Sequence, residues 1–300
     1  MSESNKRNFI VHGSILAIAG ILVRIIGMLY RIPVVNIIGS EGNGIYGAAF
    51  NIYNIMLVLS SYGLPMAVSK LVSARFTKKR YKSAAKVLRC SLMVAVCTGG
   101  IAALLVFFGA SFIENVIYGG GLPGLAVPLR ILAPTIFLVA ILGVIRGFFQ
   151  GQSTMIPTAV SQILEQIVNA IVSIAAGYGM MKAFASSPDV AAYGAAGSTL
   201  GTAMGALTAV LFMGFLYAVY TPTFNRLKRK DRHTENQSTG QICKIIIYTM
   251  IPIILGQTFY QISALIDDVM FSNIMVGRDI TKSISMDPVS YTHLTLPTKL

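Results

Sequence analysis

The sequence contains no tryptophan, only three cysteines and few acids: 11 Asp and Glu face 24 Lys and Arg, and charged residues make up 12% of its 300 positions. Each scarcity excludes something. Cys90, Cys97 and Cys243 are odd in number, lack metal-ligand spacing and lie in or beside apolar segments, so they read as reduced packing residues. No Walker loop, HExxH, GxSxG or Cys/His cluster occurs, which leaves ATP hydrolysis and the recognised hydrolase chemistries without support. The chain is therefore not read as an enzyme, and it calls for no cofactor beyond a possible coupling H+ or Na+. An interfacial aromatic belt must come from tyrosines near the expected span ends: Tyr30, Tyr46, Tyr118, Tyr178, Tyr193 and Tyr220.

What the sequence has in abundance is apolar length. Hydrophobic residues reach 54% and the mean hydropathy is +0.69, well above soluble globular proteins of this size. The formal net charge of +13 would suggest nucleic acid in a soluble chain, but its placement argues for a membrane. Eight cations fall between Lys70 and Arg89 and six between Arg226 and Lys244, both in gaps between apolar runs. The expected fold is an all-α polytopic membrane bundle. Seven spans are predicted near 9–30, 45–72, 84–110, 122–146, 155–182, 192–220 and 243–266, each long enough to cross a hydrocarbon core of ~30 Å. Basic loops alternate with loops that hold few cations, so the positive-inside rule puts the N-terminus in the cytoplasm. Arg24 and Arg31 interrupt any leader-like apolar core, and the first span is expected to stay in the protein.

That first span carries the most unusual pattern. Gly13, Ala17, Gly20, Arg24, Gly27 and Arg31 recur at alternating spacings of four and three and so share one helical face. A permanent cation on a membrane helix is costly and normally points into a bundle or a wet cavity. Counting from Arg7 puts Arg24 about 25 Å along the helix, in the outer half of the bilayer, and Arg31 about 10 Å further, as an outer-interface anchor or a ligand. Arg130 is expected at a depth similar to that of Arg24. Two or three guanidinium groups in one bundle make a candidate diphosphate site, because each offers paired donors to such oxygens. Asn51 and Asn54 would add polar lining.

Span five presents Gln162, Glu165, Gln166, Asn169 and Ser173 on one side, a face that must look inward. Glu165 there can pair with an arginine, Arg24 being one candidate, or exchange protonation states and couple a cation. Gly197, Gly201 and Gly205 form a ridge that lets two helices approach closely. Pro65 marks a break in span two. Asp267 and Asp268 read as solvated at a span end. The tail VSYTHLTLPTKL, with His293, breaks in character from the rest and is set aside as non-native.

The strings VRIIGMLYRIPVVNIIGSEGNGIYGAAFNIYNIMLVLSSYGLPMAVSKLVS (23–73) and RGFFQGQSTMIPTAVSQILEQIVN (146–169) resemble the polysaccharide-biosynthesis and lipid II flippase proteins of the SpoVB/MurJ type. These belong to the multidrug, oligosaccharidyl-lipid and polysaccharide exporter superfamily. The resemblance implies two pseudo-symmetric lobes around a central cavity. Residues 1–220 would be the N-lobe, 221–242 a basic cytoplasmic linker, 243–286 the start of the C-lobe and 287–300 the non-native tail. It also implies a flippase of the bacterial cytoplasmic membrane that moves an undecaprenyl-diphosphate-linked saccharide by alternating access, with first-helix arginines, here Arg24 and Arg31, holding the diphosphate. Its partners would be that lipid and membrane lipids, with no nucleic acid, and the full-length protein would be a monomer. Two rivals remain: a cation-coupled multidrug exporter of the same fold, and a non-transporting membrane scaffold in envelope or spore assembly.

Overall fold

A computed structural model of the chain describes residues 3–232 and 237–277. The described residues are helical bundle throughout, with no β-strand among them. Seven helices follow one another: α1 (Glu3–Ser60), α2 (Leu64–Thr77), α3 (Tyr81–Phe112), α4 (Ala126–Gly151), α5 (Ile156–Ala183), α6 (Val190–Lys230) and α7 (Thr239–Gly277). A π-helical turn, Ile113–Ile117, extends α3. Six segments are long and apolar enough to cross a membrane, the first of them running from Gly13 to Thr77.

That first segment holds both of the first two expected spans. Gly39 sits at φ 70°, ψ −177° inside α1, a backbone conformation that side chains with a Cβ avoid, and it reverses the chain. The Arg31 guanidinium lies 5.9 Å from the centre of the Tyr46 ring. Residues that far apart on a straight helix would be separated by ~22 Å. The two arms, 3–38 and 40–60, therefore run back along each other. The expected second span, 45–72, is not continuous: a turn at residues 61–63 divides it, and α2 restarts with Pro65 in its first turn. Thr98 Oγ1 of α3 donates to the freed carbonyl of Ser60 at 2.9 Å, which satisfies part of the broken backbone.

Small residues set how closely the helices pack, since lipid supplies little hydrophobic force between spans. On α4, Gly143, Gly147 and Gly151 lie against α2; a Cβ on Gly147 would stand 2.6 Å from the Pro65 carbonyl oxygen. On α6, Gly197, Gly201 and Gly205 lie against α5, and a Cβ on Gly205 would stand 2.6 Å from the Glu165 carbonyl. One core cluster joins α1, α3, α4 and the start of α6 through Ile38, Ile45, Val106, Leu129 and Ile136. Another joins α2, α3, α4, α6 and α7 through Val68, Val87, Phe148, Phe224 and Ile246. Large apolar side chains such as Phe108, Leu211 and Phe215 remain outside, as expected of a lipid-facing surface.

The linker between α6 and α7 is shorter than the expected 221–242. α6 stays helical to Lys230 and α7 starts at Thr239. Buried Asp231 accepts the Lys82 backbone N–H at 2.8 Å and so caps the first turn of α3. Gln237 accepts from Arg75 Nη2 at 2.9 Å and, through its carbonyl, from Lys86. The same end of the bundle, the basic end, thus gathers both basic stretches. The opposite end holds Gly39. Residues 278–300, including the last part of the expected C-lobe start, the tail and His293, lie outside the described residues.

Candidate functional site

The polar face of α5 looks inward, toward α1, α4 and α6. A Cβ on Gly27 would stand 3.1 Å from Gln166 Nε2, and Asn169 Nδ2 donates to Tyr30 Oη at 3.3 Å. Both pairs differ by the same residue offset, so the first arm of α1 and α5 run parallel in fixed register. On the returning arm, buried Tyr53 lies close to Glu165. Both arms of α1 therefore meet the same stretch of α5.

This register corrects the expected depths. Arg24 is level with residue 163, about 10 Å from the start of α5, in the half of the bundle nearer the basic end and not in the half beyond it. The count from Arg7 misled because α1 projects well past the start of α5, so Arg7 does not mark the level at which the other helices begin. Arg31 is not at an interface either: it lies about 12 Å inside Gly39 and is level with the middle of α5. Its guanidinium rests over the Tyr46 ring, a contact whose strength rises when the cation is desolvated. Tyr46 in turn lies against the Tyr30 hydroxyl.

Arg130 does not share that neighbourhood. It is in the first turn and a half of α4, at the Gly39 end, where Nη2 donates to Ser111 Oγ of α3 at 2.9 Å. The structure ties it to α3 instead of to the α1 stripe, so the expected match in depth with Arg24 fails. Asn51 and Asn54, half-buried on the returning arm, flank Tyr53 and stand level with the Arg24 to Met28 turn.

Glu165 pairs with Arg146, not Arg24. Arg146 Nη2 lies 2.7 Å from Glu165 Oε2, with the two side chains 14% and 26% exposed. Arg146 Nε also donates to Ser161 Oγ at 2.9 Å, and Ser161 donates to the Thr158 carbonyl at 2.8 Å. The guanidinium is held in one orientation by two fixed partners on α5. Gln162 is one turn below this pair and half-exposed. Asn169, buried, ties three helices together: besides Tyr30 it meets Thr202 Oγ1 of α6 at 3.5 Å and Ser173 Oγ at 2.9 Å. Ser173 Oγ is also 2.8 Å from the Ser198 carbonyl. Arg24 makes no hydrogen bond or ion pair with any described residue, and its side chain is exposed.

Arg146 is a residue of this site that its own helix's pattern does not single out. A signal existed. Arg146 and Ser161 are equidistant from the middle of the short 152–155 connection between α4 and α5, as residues facing each other across a helical hairpin must be, and Glu165 is one turn beyond Ser161 on the same face. Tyr30 and Tyr46 are placed in the same way about Gly39. Among the described residues no group of three or more His, Cys, Asp or Glu could hold a metal ion.

Residues 10–279 match the family described as polysaccharide biosynthesis protein. The lipid II flippase MurJ of Bacillus subtilis is 34% identical over 176 residues, 57% of this chain and 32% of that protein. The stage V sporulation protein B of the same organism is 30% identical over 210 residues, 69% of this chain and 39% of that protein. The chain thus spans well under half of either relative's length. An outward-facing multidrug resistance MATE family transporter of the MOP superfamily has the same fold, with a TM-score of 0.64 and 16% identity over 91% of this chain and 62% of that one.

Proposed function

The chain belongs to the polysaccharide biosynthesis protein family, a family of multi-pass membrane proteins, and from that premise we propose that it is one lobe of a flippase. Its cargo would be an undecaprenyl-diphosphate-linked saccharide, lipid II or a relative, moved across the cytoplasmic membrane by alternating access. The observation that carries this reading is Arg24: an exposed guanidinium, inside the span, with no hydrogen-bond or ion-pair partner among the described residues, on the helix that faces the polar side of α5. A lone cation at that depth is costly unless an anion or water meets it. A diphosphate meets it with paired oxygens. Arg31, Asn51 and Asn54 lie within the same two arms and would extend the contact; Arg130 would act only at the Gly39 end.

The N-terminus and the basic end would face the cytoplasm, so the headgroup would enter past the α5 start and reach Arg24 first. Glu165, engaged by Arg146, orients that arginine, and a coupling proton or Na+ would act by releasing it. A cation-coupled drug exporter would want an acidic cavity, whereas the one acid on the α5 face is already neutralised here. The scaffold reading drew on an Arg24–Glu165 pair, which does not form. The test is rescue of flippase-depleted cells by the full-length protein. Arg24→Ala should fail and Arg24→Lys should rescue in part, since lysine keeps the charge but loses the fork. Full rescue by Arg24→Ala would overturn the assignment.

A further inference from the structure

Two cations and one carboxylate lie at nearly one level of the bundle. Arg24 is level with residue 163 of α5 by the register above, so Glu165 is about 3 Å further along the axis on the neighbouring helix. Neighbouring axes are ~8–10 Å apart, a gap that an arginine and a glutamate side chain span together. Glu165 is nevertheless engaged elsewhere: Arg146 holds its Oε2 from α4, and Ser161 fixes the guanidinium from the other side. Glu41 and Glu114 are near the Gly39 end, where Glu114 accepts from the Gly124 and Ala126 backbone N–H groups.

We propose that Arg146 is a positioning residue that sequesters Glu165, so that Arg24 stays available to an anionic headgroup. This rests on the reading of Arg24 as the headgroup cation. With Arg146 present, Arg24, Arg146 and Glu165 sum to one net positive charge, and the carboxylate is held by the α4 guanidinium instead of Arg24. Without Arg146 the same level holds one cation and one free carboxylate at low dielectric. Such a carboxylate turns to the nearest cation. That cation is Arg24, which has no competing partner among the described residues. The site would then close on itself with a net charge of zero, although no binding residue had been changed.

The experiment measures binding of geranylgeranyl diphosphate to the full chain in nanodiscs of zwitterionic lipid, with a melting curve for each variant. Arg24→Ala should weaken binding by about tenfold or more, the loss of a charge-assisted contact. Arg146→Met should weaken it by a similar factor. Glu165→Gln alone should tighten it, because the charge of Arg146 is no longer neutralised and adds to the site. Arg146→Met combined with Glu165→Gln should return binding to within about threefold of the starting protein. A purely structural pair gives another pattern: Arg146→Met lowers the melting temperature and the folded fraction binds normally, or the double variant stays defective. Either result overturns the inference, as does a tenfold loss in Glu165→Gln, a variant that keeps its shape and hydrogen bonding should Arg146→Met fail to fold. Unchanged binding in Arg24→Ala would instead overturn the headgroup reading on which the inference stands.

Discussion

The α2–α4 seam and the α5–α6 seam are closed by the same device, glycines four residues apart, yet they hold different things. Under Gly143, Gly147 and Gly151 lie Pro65, Val68 and Val72, and beside them Phe76, Phe148 and Phe224 pack ring against ring. Under Gly197, Gly201 and Gly205 lie Asn169 and Ser173, whose side chains are hydrogen-bonded to α1 and α6. Glycine spacing decides how near two helices come. What lies beneath decides whether the seam is packing alone or a mount for polar groups. The first seam should govern stability, and the second should govern stability and ligand binding together.

The sharpest separation comes from Phe148→Ala. Phe148 is fully buried at the centre of the aromatic cluster, and its loss should cost about 3–5 kcal/mol. The melting temperature should fall steeply while diphosphate affinity of the folded fraction stays the same; a matching fall in affinity would break the contrast. Next come the ridges themselves. Gly147→Ala and Gly201→Ala each force a methyl onto backbone and should cost about 1–3 kcal/mol. Their melting curves should shift alike, but only Gly201→Ala should weaken binding, because its Cβ would press on Ser173 and on the Asn169 carbonyl at 2.6 Å.

Asn169→Ala should cost about 1 kcal/mol of stability, in the range of interhelical hydrogen bonds within membranes. Hydrogen exchange should nevertheless rise along the first arm of α1, since Tyr30 loses its anchor on α5. Unchanged exchange there would show that α1 is held by packing alone. The smallest effect belongs to Thr98→Val, which removes one donor to the Ser60 carbonyl at the α1–α2 break. About 0.5–1.5 kcal/mol is expected, read as a small drop in melting temperature without change in binding.

Several features were legible from residue pattern because they depend on one helix at a time. The inward polar face of α5, the ridge on α6 and the break before Pro65 follow from spacing and from residue type. The features that were not legible involve two helices and their relative slide. Arg24 was placed too far along because depth was counted from Arg7, and a sequence does not state that α1 overhangs its neighbours. The role of Arg146 was not legible because its partner sits across a turn, not on its own helix. The reversal at Gly39 hid among Gly39, Gly42 and Gly44, of which only the first adopts the left-handed conformation. The linker looked long because basic residues 226–230 look solvated by composition, although α6 carries them as helix.

The single-residue reversal at Gly39 also limits how the gene can change length. Both arms of α1 read their register from α5, one through Gly27 and Tyr30 and the other through Tyr53. Inserting one residue between Tyr30 and Gly39 would rotate the first arm by about 100° against the second and shift it ~1.5 Å. Tyr30 would leave Asn169 and the arginine stripe would turn from the polar wall toward lipid. Alignments across this stretch should therefore tolerate substitutions far better than gaps, and any gap that is tolerated should come as close to a whole helical turn as the chain allows.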